Sequence, residues 1–410
     1  MRSNYKKIGK FVQQAKNKNN SNSRTVEHLR GINITKEFMP SVANVTGTDL
    51  SVYKIVEKNQ FAYNPMHVGR DEILPISMLA HEDSVIVSPA YVVFEIVDTN
   101  ELLPEYLMMW CRRSEFDRNA WFTTDSSVRG GFNWEDFCDL ELPVPSIEKQ
   151  REIVKEYHTI TDRIKLNEQL NHKLEDTAQG IYKEWFVDFE FPDENGKPYK
   201  SNSGEMVYCE ELDMEIPKGW KASKISEIGN VITGKTPSSD YPEDFGIYMP
   251  FITPTDYKNY GKFVTESIRS LSNKGAKKLK NKVLKEDSLL VTCIGSDMGK
   301  VVINKTQCIT NQQINSIILN ENKMVEYLYY TLLNSYENLR NIAIGSSTML
   351  MINKTEFEQI KFSHPNRIII DKFYLLISQC SQYIWVTESM NKKLFKLKEI
   401  LLSKMATIEG

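Results

Sequence analysis

The sequence predicts an α+β protein with an internal tandem repeat. Two similar globular domains are separated by two long helices that form a coiled-coil spacer. Three observations lead to this prediction. The chain has 410 residues, more than one hydrophobic core usually organises. Its second half repeats the first at a constant offset. Each copy closes with about 40 residues whose core positions follow a heptad spacing.

The repeat is visible when residues 126–185 are aligned with residues 346–405 without a gap. Ten of the sixty positions are identical, and they include Ser126 with Ser346, Ser127 with Ser347, and Asn133 with Asn353. Upstream, the run Glu105-Tyr106-Leu107 matches Glu326-Tyr327-Leu328 after a slip of one residue. A repeat over most of the chain predicts a duplicated structure, so we expect two copies of one unit of about 220 residues.

Each copy has two parts with different patterns. The first part mixes short strand-like runs with turn residues and short helices, as in a globular α+β domain. The second part is a continuous heptad pattern. We therefore predict globular domains at residues 1–145 and 216–365, spacer helices at 146–187 and 366–406, and an acidic linker at 188–215.

The heptad seam of the spacer helices alternates intervals of three and four residues. It comprises Ile153, Tyr157, Ile160, Ile164, Asn171 and Leu174 in the first helix, and Phe373, Ile377, Ile384, Asn391 and Leu394 in the second. Polar residues interrupt it at equivalent places, Asn167 and Asn171 in one copy and Thr387 and Asn391 in the other. A buried Asn costs stability unless it meets a partner, and it can fix the register of two helices. Two such helices most simply pack on each other; the alternative is that each packs on its own domain.

Composition is that of a globular protein, with 41% apolar and 26% charged residues. No apolar run approaches the roughly 18–20 residues of a membrane span. The N-terminus lacks the apolar segment of a secretion signal. The six cysteines lie far apart without a CxxC pair, which argues against a zinc site or a disulfide framework. These features predict a cytoplasmic protein with no membrane partner.

Charge is distributed unevenly, although the net charge is only −3. Residues 1–36 carry nine basic side chains and one acidic, and residues 274–285 carry six lysines and no acid. Residues 186–219, between them, carry nine acidic groups and three lysines. Two basic regions indicate two polyanion-binding domains, whereas solvated lysine faces are the alternative. Two DNA-binding domains on a fixed spacer predict two separated half-sites. Because the domains differ in sequence, such a target is bipartite and asymmetric.

Several segments resemble those of the specificity subunits of type I DNA restriction–modification enzymes, and the resemblance covers essentially the whole chain. They are residues 132–145, 147–154 and 174–192 in the first copy, and 216–220, 234–239, 250–253 and 309–315 in the second. The resemblance implies that each globular half is a target recognition domain. It also implies that the helices form an antiparallel spacer, with pseudo-two-fold symmetry, that docks methyltransferase subunits.

The same resemblance implies partners and cofactors. Double-stranded DNA, two methyltransferase subunits and motor-nuclease restriction subunits are the expected partners. S-adenosylmethionine, and ATP with Mg²⁺ for restriction, are expected in those subunits and not in this chain. The alternative is an interaction scaffold with two ligand-binding lobes and no role on DNA.

The chain lacks the motifs of an enzyme of this kind. An adenine methyltransferase needs an Asn/Asp-Pro-Pro-aromatic loop around the flipped base, and the nearest run is Asn64-Pro65-Met66. No Walker A loop is present, and the six histidines show no metal-ligand spacing. The glycine-rich Gly295–Gly299 run fits a strand-to-strand turn better than a cofactor loop. We therefore predict a non-catalytic chain with no metal site.

Candidate DNA contacts are polar and basic residues in loops, because Arg, Lys, Asn, Gln, Ser and Thr read bases and phosphates. In the first domain they are Lys16, Lys18, Asn19, Asn20, Asn22, Arg24, Thr124, Ser126 and Arg129. In the second they are Lys235, Thr236, Ser238, Ser239, Thr253, Tyr257, Lys258, Lys277, Lys278, Ser346 and Ser347. A flexible loop at 16–24 and a structural turn at the repeated serines remain alternatives. A structural role is favoured for Asn311-Gln312-Gln313.

An aromatic cluster ends the first spacer helix. Tyr182, Trp185 and Phe186, followed by Phe189 and Phe191, are too apolar for a solvated helix end. The cluster either packs on a domain of this chain or forms a docking patch for a methyltransferase subunit, so Tyr182, Trp185 and Phe186 are candidate docking residues.

Overall fold

A computed structural model describes residues 5–407 except 42–46, 67, 125–130, 260, 296, 336–338, 340 and 342–350. The chain divides into two compact units, which we call unit 1 (residues 1–167 and 389–410) and unit 2 (residues 168–388). Each unit contains one globular domain and part of each long helix.

Unit 1 is built from short strands and four short helices. The strands are β1 Tyr5–Lys7, β2 Val12–Gln14, β3 Arg30–Ile32, β4 Phe38–Pro40, β5 Lys54–Glu57, β6 Phe61–Tyr63, β7 Ile76–Met78, β8 Ser84–Val87, β9 Val92–Ile96 and β10 Glu141–Pro143. The helices are α1 Val68–Asp71, α2 Pro104–Cys111, α3 Ser114–Thr123 and α4 Trp134–Asp139. Strands β2, β9, β6 and β7 form an antiparallel sheet, and the pairs β1–β10, β3–β4 and β5–β8 surround it. Aromatic rings fill the core, where Phe94 stacks on Phe61 with centroids 4.8 Å apart.

Unit 2 contains a larger β-structure. Its strands are β11 Met206–Cys209, β12 Met214–Pro217, β13 Lys221–Lys224, β14 Gly229–Thr233, β15 Phe245–Gly246, β16 Met249–Ile252, β17 Phe263–Val264, β18 Arg269–Leu271, β19 Leu289–Thr292, β20 Val301–Asn304, β21 Ile309–Thr310, β22 Ile314–Leu319 and β23 Lys361–His364. Its short helices are α6 Ile225–Ile228, α7 Asn273–Lys278, α8 Val325–Asn334 and α9 Lys354–Glu358. A five-stranded sheet has the order β14-β22-β19-β20-β17, and a four-stranded sheet has the order β15-β18-β16-β21. The glycine-rich run at 295–299 lies between the antiparallel strands β19 and β20, as the sequence predicted.

The repeat in the sequence is a repeat in structure. Asn133 and Asn353 each cap a short helix, accepting a hydrogen bond from the backbone three residues later. A short strand follows each helix, β10 in one copy and β23 in the other. The Tyr106 hydroxyl donates to the carbonyl of Pro143, and the Tyr327 hydroxyl donates to the carbonyl of Ser363. The frame that leads into each long helix is therefore the same in both copies.

The two long helices are α5, Ile147–Tyr182, and α10, Arg367–Lys404. In unit 1, Ile153 and Tyr157 share a core with Leu402 and Met405. In the same unit the side chain of Asn167 bonds to that of Asn391. In unit 2, Thr387 bonds to Asn171, and Trp185 lies 5.9 Å from Phe373 between ring centroids. Residue numbers thus rise along one helix as they fall along the other, so the helices pair antiparallel within each unit. The predicted α+β class with two long antiparallel helices is confirmed.

The aromatic cluster at the end of α5 packs on this chain. Tyr182 is 6% exposed and Phe186 is 4% exposed, and both belong to the core of unit 2. Phe186 lies 4.6 Å from Tyr327 and 4.8 Å from Phe373 between ring centroids. The prediction that Tyr182 and Phe186 form a docking patch is wrong, because their rings are already covered by α8 and α10. Trp185, which is half-buried, packs against the same core.

Candidate nucleic-acid interface

The loop at residues 16–24 of unit 1 folds around one buried amide. Asn19 is fully buried, and its side-chain nitrogen donates to the carbonyls of Arg24, at 2.8 Å, and Leu50, at 3.3 Å. Its side-chain oxygen accepts the backbone N–H of Arg24 at 3.1 Å. Asn19 was predicted to contact DNA, and this is wrong, since all its hydrogen-bonding groups are used inside the loop. These hydrogen bonds of Asn19, which we call the Asn19 clamp, also argue against the alternative of a flexible loop.

Around that clamp, the loop presents cations and amides at the surface. Lys16, Lys18, Asn20 and Asn22 are exposed, and Asn22 has a left-handed backbone conformation with φ of +50°. The guanidinium of Arg24 donates to the hydroxyl of Ser84 at 3.0 Å and is half-buried. Arg24 is therefore positioned by the loop, and the other four side chains face solvent.

A second lysine, the half-buried Lys54, lies beside Lys18, and its ammonium donates to the carbonyl of Tyr91 at 2.5 Å. Lys18 and Lys54 are paired across an isolated β-bridge. Burial lowers the pKa of Lys54, and the nearby Lys18 cation lowers it further. Two lysines held together favour an anionic ligand, because such a ligand relieves their mutual repulsion. The sequence did not point to Lys54, which is 36 positions from Lys18 and is brought to it only by the strand pairing.

Three other candidates of the first domain fall into two groups. Thr124 is 4% exposed, and its hydroxyl donates to the carbonyl of Trp121 at 2.7 Å. The prediction that Thr124 contacts DNA is therefore wrong, because it terminates α3. Ser126 and Arg129 lie outside the described residues, as do Ser346 and Ser347 of the second domain.

In unit 2, the loop after β14 meets the turn after β21. A Cβ atom on Gly234 would lie 2.2 Å from the carbonyl oxygens of Thr310 and Asn311, so only glycine allows this approach. The Lys235 N–H donates to the Thr310 carbonyl at 2.9 Å, and the Thr236 hydroxyl donates to Gln312 Oε1 at 2.6 Å. Lys235 and Gln312 are exposed, and Ser238 and Ser239 continue the exposed loop. This places cationic, amide and hydroxyl groups together at one edge.

Asn311 in that turn has the structural role that the sequence favoured. It is 7% exposed, its side-chain nitrogen donates to Gln313 Oε1 at 2.8 Å, and its side-chain oxygen accepts from the Gln313 N–H. Gln312, between them, is the member of the run that points to solvent.

The loop after β16 is organised by a buried carboxylate. Asp256 is 1% exposed and accepts from the Thr253 N–H and the Thr253 hydroxyl, both at 2.8 Å. Tyr257 is 6% exposed, and its hydroxyl donates to the Leu290 carbonyl at 3.0 Å. Its predicted contact with DNA is therefore wrong, since the ring is part of the core. Lys258 is exposed, and Thr253 is half-buried with its hydroxyl engaged.

The lysine run at 274–285 is partly neutralised. Lys274 pairs with Glu243 at 3.1 Å, and Lys278 pairs with Asp244 at 2.7 Å. Lys277 and Lys280 are exposed, and neither forms an ion pair with an acid of the described part of the chain. Of the two predicted contacts in this run, Lys277 is thus the free cation and Lys278 the paired one.

The predicted seam residues lie where the helices pair. Ile153, Tyr157, Ile164, Phe373, Ile377, Ile384 and Asn391 are buried, and Ile160, Asn171, Leu174 and Leu394 are half-buried.

Among the described residues, His, Cys, Asp and Glu side chains nowhere come together in a group of three that would hold a metal ion. Within the described ranges, no helix is both long enough and apolar enough to cross a membrane.

Comparisons with known proteins agree on one family. Residues 217–373 match the type I restriction modification DNA specificity domain. The chain is 26% identical to the HindI specificity subunit of a type I restriction enzyme from Haemophilus influenzae, over 89% of each protein. It is 27% identical to the MjaIX specificity subunit of Methanocaldococcus jannaschii, over 65% of this chain and 60% of that protein.

A solved structure has a similar fold. The S subunit of a type I restriction-modification system from M. genitalium aligns over 99% of this chain and 96% of its own, with a TM-score of 0.60 and 13% identity. At 13% sequence identity, this similarity is evidence for the fold only.

Proposed function

We propose that the chain is a specificity subunit of a type I restriction–modification system, and that each globular domain reads one half of a bipartite, asymmetric DNA target. The main support for this proposal is that the two domains share the same helix and strand leading into each long helix, whereas their exposed loops differ. Asn133 and Asn353 cap equivalent helices, whereas the loops at 16–24 and 234–239 differ in sequence. A repeated frame keeps the geometry, and divergent loops change the bases that are read.

The exposed loop groups suit contact with a nucleic acid. Lys18 in the loop with Asn20 and Asn22, and Lys235 beside Gln312, put exposed cations near amides that can hydrogen-bond to base edges. The buried Asn19 holds the first loop by hydrogen bonds, and the buried Asn311 holds the turn that carries Gln312, which lowers the ordering cost of binding. The antiparallel pairing of α5 and α10 suits a spacer that fixes the distance between half-sites.

The long helices also offer a docking surface for methyltransferase subunits. On α10, Leu375 is 67% exposed and Tyr383 is 63% exposed, and Leu376 and Val386 are also exposed. Such apolar groups on an otherwise polar helix face are typical of protein interfaces. These residues take the docking role that the sequence assigned to Tyr182 and Phe186. Adenine methylation, S-adenosylmethionine binding, and ATP- and Mg²⁺-dependent restriction would then belong to the partner subunits.

The experiment is binding of random duplex DNA by the chain together with its methyltransferase partner, at several salt concentrations. We expect affinity to fall steeply with salt, and replacement of the exposed lysine of the loop, Lys18→Ala, to reduce the slope of log affinity against log salt by about 1. Lys7→Ala is the matched control, because Lys7 is already paired with Asp139 at the surface. Absent or salt-insensitive binding of the complex would refute the proposal and favour a scaffold without a role on DNA.

A further inference from the structure

An apolar tip in unit 2 projects into solvent. Ile247 is fully exposed and Tyr248 is 60% exposed, and they form the turn between β15 and β16. Exposing two adjacent large apolar side chains is unfavourable in water, so their position in the fold indicates a contact.

The backbone of this tip is held from both sides. Strand β18 lies between β15 and β16, and its Leu271 pairs with Phe245 on one side and Met249 on the other. The Tyr248 N–H donates to the Leu271 carbonyl at 2.8 Å. The two side chains therefore project from a fixed turn.

Basic residues lie on the segment that packs beside β15. Helix α7 begins directly after β18, and the Ser272 N–H donates to the Asp244 carbonyl at 2.8 Å. A Cβ atom on Gly275 would lie 2.1 Å from that carbonyl oxygen, so α7 packs closely beside the start of β15. Lys277 on α7 and Lys280, which follows α7, are exposed on this segment. The Arg269 guanidinium stacks on Phe245 at 3.8 Å.

We propose that Ile247 and Tyr248 form a wedge that inserts between adjacent base pairs of the DNA held by unit 2, with Lys277 and Lys280 on the flanking phosphates. This inference rests on the proposed function. Proteins that insert apolar side chains between base steps place them beside cations that hold the backbone, and the contact unstacks the step and bends the duplex. Lysine is depleted from protein–protein interfaces, so the lysines of this segment favour DNA over a protein as the occupant of the tip. Because the energy needed to unstack a base-pair step depends on its sequence, the wedge favours easily unstacked steps without forming hydrogen bonds to base edges.

The test uses the complex of the full chain with its methyltransferase partner and a duplex carrying the methylated sequence found in cells. 2-Aminopurine is placed in turn at the positions of the half-site read by unit 2, other than the methylated adenine. We expect its fluorescence to rise at one step with the native chain. Ile247→Ser with Tyr248→Ser should abolish that rise and weaken binding roughly tenfold.

The control is Ile34→Ser, which removes an exposed isoleucine (56%) from unit 1. It should leave both the fluorescence and the affinity unchanged. Unchanged affinity or fluorescence in the tip variant, or no rise with the native chain, would overturn the wedge. Loss of the methyltransferase from the purified variant complex would overturn it too, and would make the tip a protein-docking site. Failure of the native complex to bind any duplex would instead refute the proposed function.

Discussion

The polar pair within the seam of unit 1 gives a sharp prediction. Asn167 Nδ2 donates to Asn391 Oδ1 at 2.7 Å, and Asn391 Nδ2 donates to the Ile164 carbonyl at 3.4 Å. The side chains are buried, with Asn167 2% and Asn391 7% exposed. We therefore consider Asn391→Leu, Asn167→Leu and the double substitution.

The expected magnitudes follow from what each change leaves behind. Asn391→Leu leaves the Asn167 amide buried without its acceptor, which costs about 1–3 kcal/mol. Asn167→Leu leaves the Asn391 oxygen without its donor, at a cost of similar size. Replacing both partners with apolar side chains removes the unpaired groups, so the double variant should be close to the native stability or above it. The interaction energy between the two sites should then have a magnitude of about 2–6 kcal/mol, because it equals the sum of the two single losses when the double variant loses nothing.

The assay is urea unfolding of the four proteins, followed by the far-ultraviolet circular dichroism of the helices. Each single variant should lower the midpoint by roughly 0.5–1 M, and the double variant should restore it. Thr159→Leu, at an exposed position of α5 in unit 1, controls for the higher helix propensity of leucine, because threonine and asparagine have similar helix propensities. Additive losses in the double variant would refute the assignment of this pair.

Three further outcomes are expected. Lys262 and Glu326 form a buried ion pair at 2.7 Å, and Glu326→Ala leaves the Lys262 cation without its carboxylate. This variant should lower the free energy of unfolding, measured in urea, by about 3–5 kcal/mol. A loss near zero would contradict this expectation. Burial and the Lys221 cation lower the pKa of His364 from 6.5, so the unfolded state binds more protons, and stability should fall as pH drops below about 6.5. His364→Gln should flatten that decline below about pH 6.5, and an unchanged profile would exclude His364 as its source. Leu375→Glu should release the methyltransferase during size-exclusion chromatography without loss of helix content, and an intact complex would locate docking elsewhere.

The heptad spacing predicted which residues form the seam between the long helices, but not how they pair. Alternating intervals of three and four mark one face of a helix, and the predicted positions are buried or half-buried. The pattern does not say which residue meets which, because that depends on the register of two helices far apart in sequence. The structure pairs Asn167 with Asn391 and Asn171 with Thr387. Shifting the first pair by the repeat offset gives the second, so the duplication explains a pairing that one helix alone does not predict.

The loops show what residue type alone does not determine. Asn19, Thr124 and Tyr257 have side chains suited to DNA contact, but hydrogen bonds to neighbouring carbonyls hold them inside the domain. Exposure in a loop is set by contacts between distant segments, such as the bridge that brings Lys54 to Lys18. Composition therefore identified candidate segments, and only the fold sorted their residues into buried groups that hold the loops and groups exposed at the surface.

The most direct test of the central claim is methylome sequencing of cells that express the partner methyltransferase with either the native chain or a chimera. The chimera exchanges residues 1–145 for the corresponding domain of another specificity subunit. Two domains that each read one half-site predict that one half of the methylated motif changes, while the other half and the spacer length stay the same. A change in both halves, or in neither, would contradict the account.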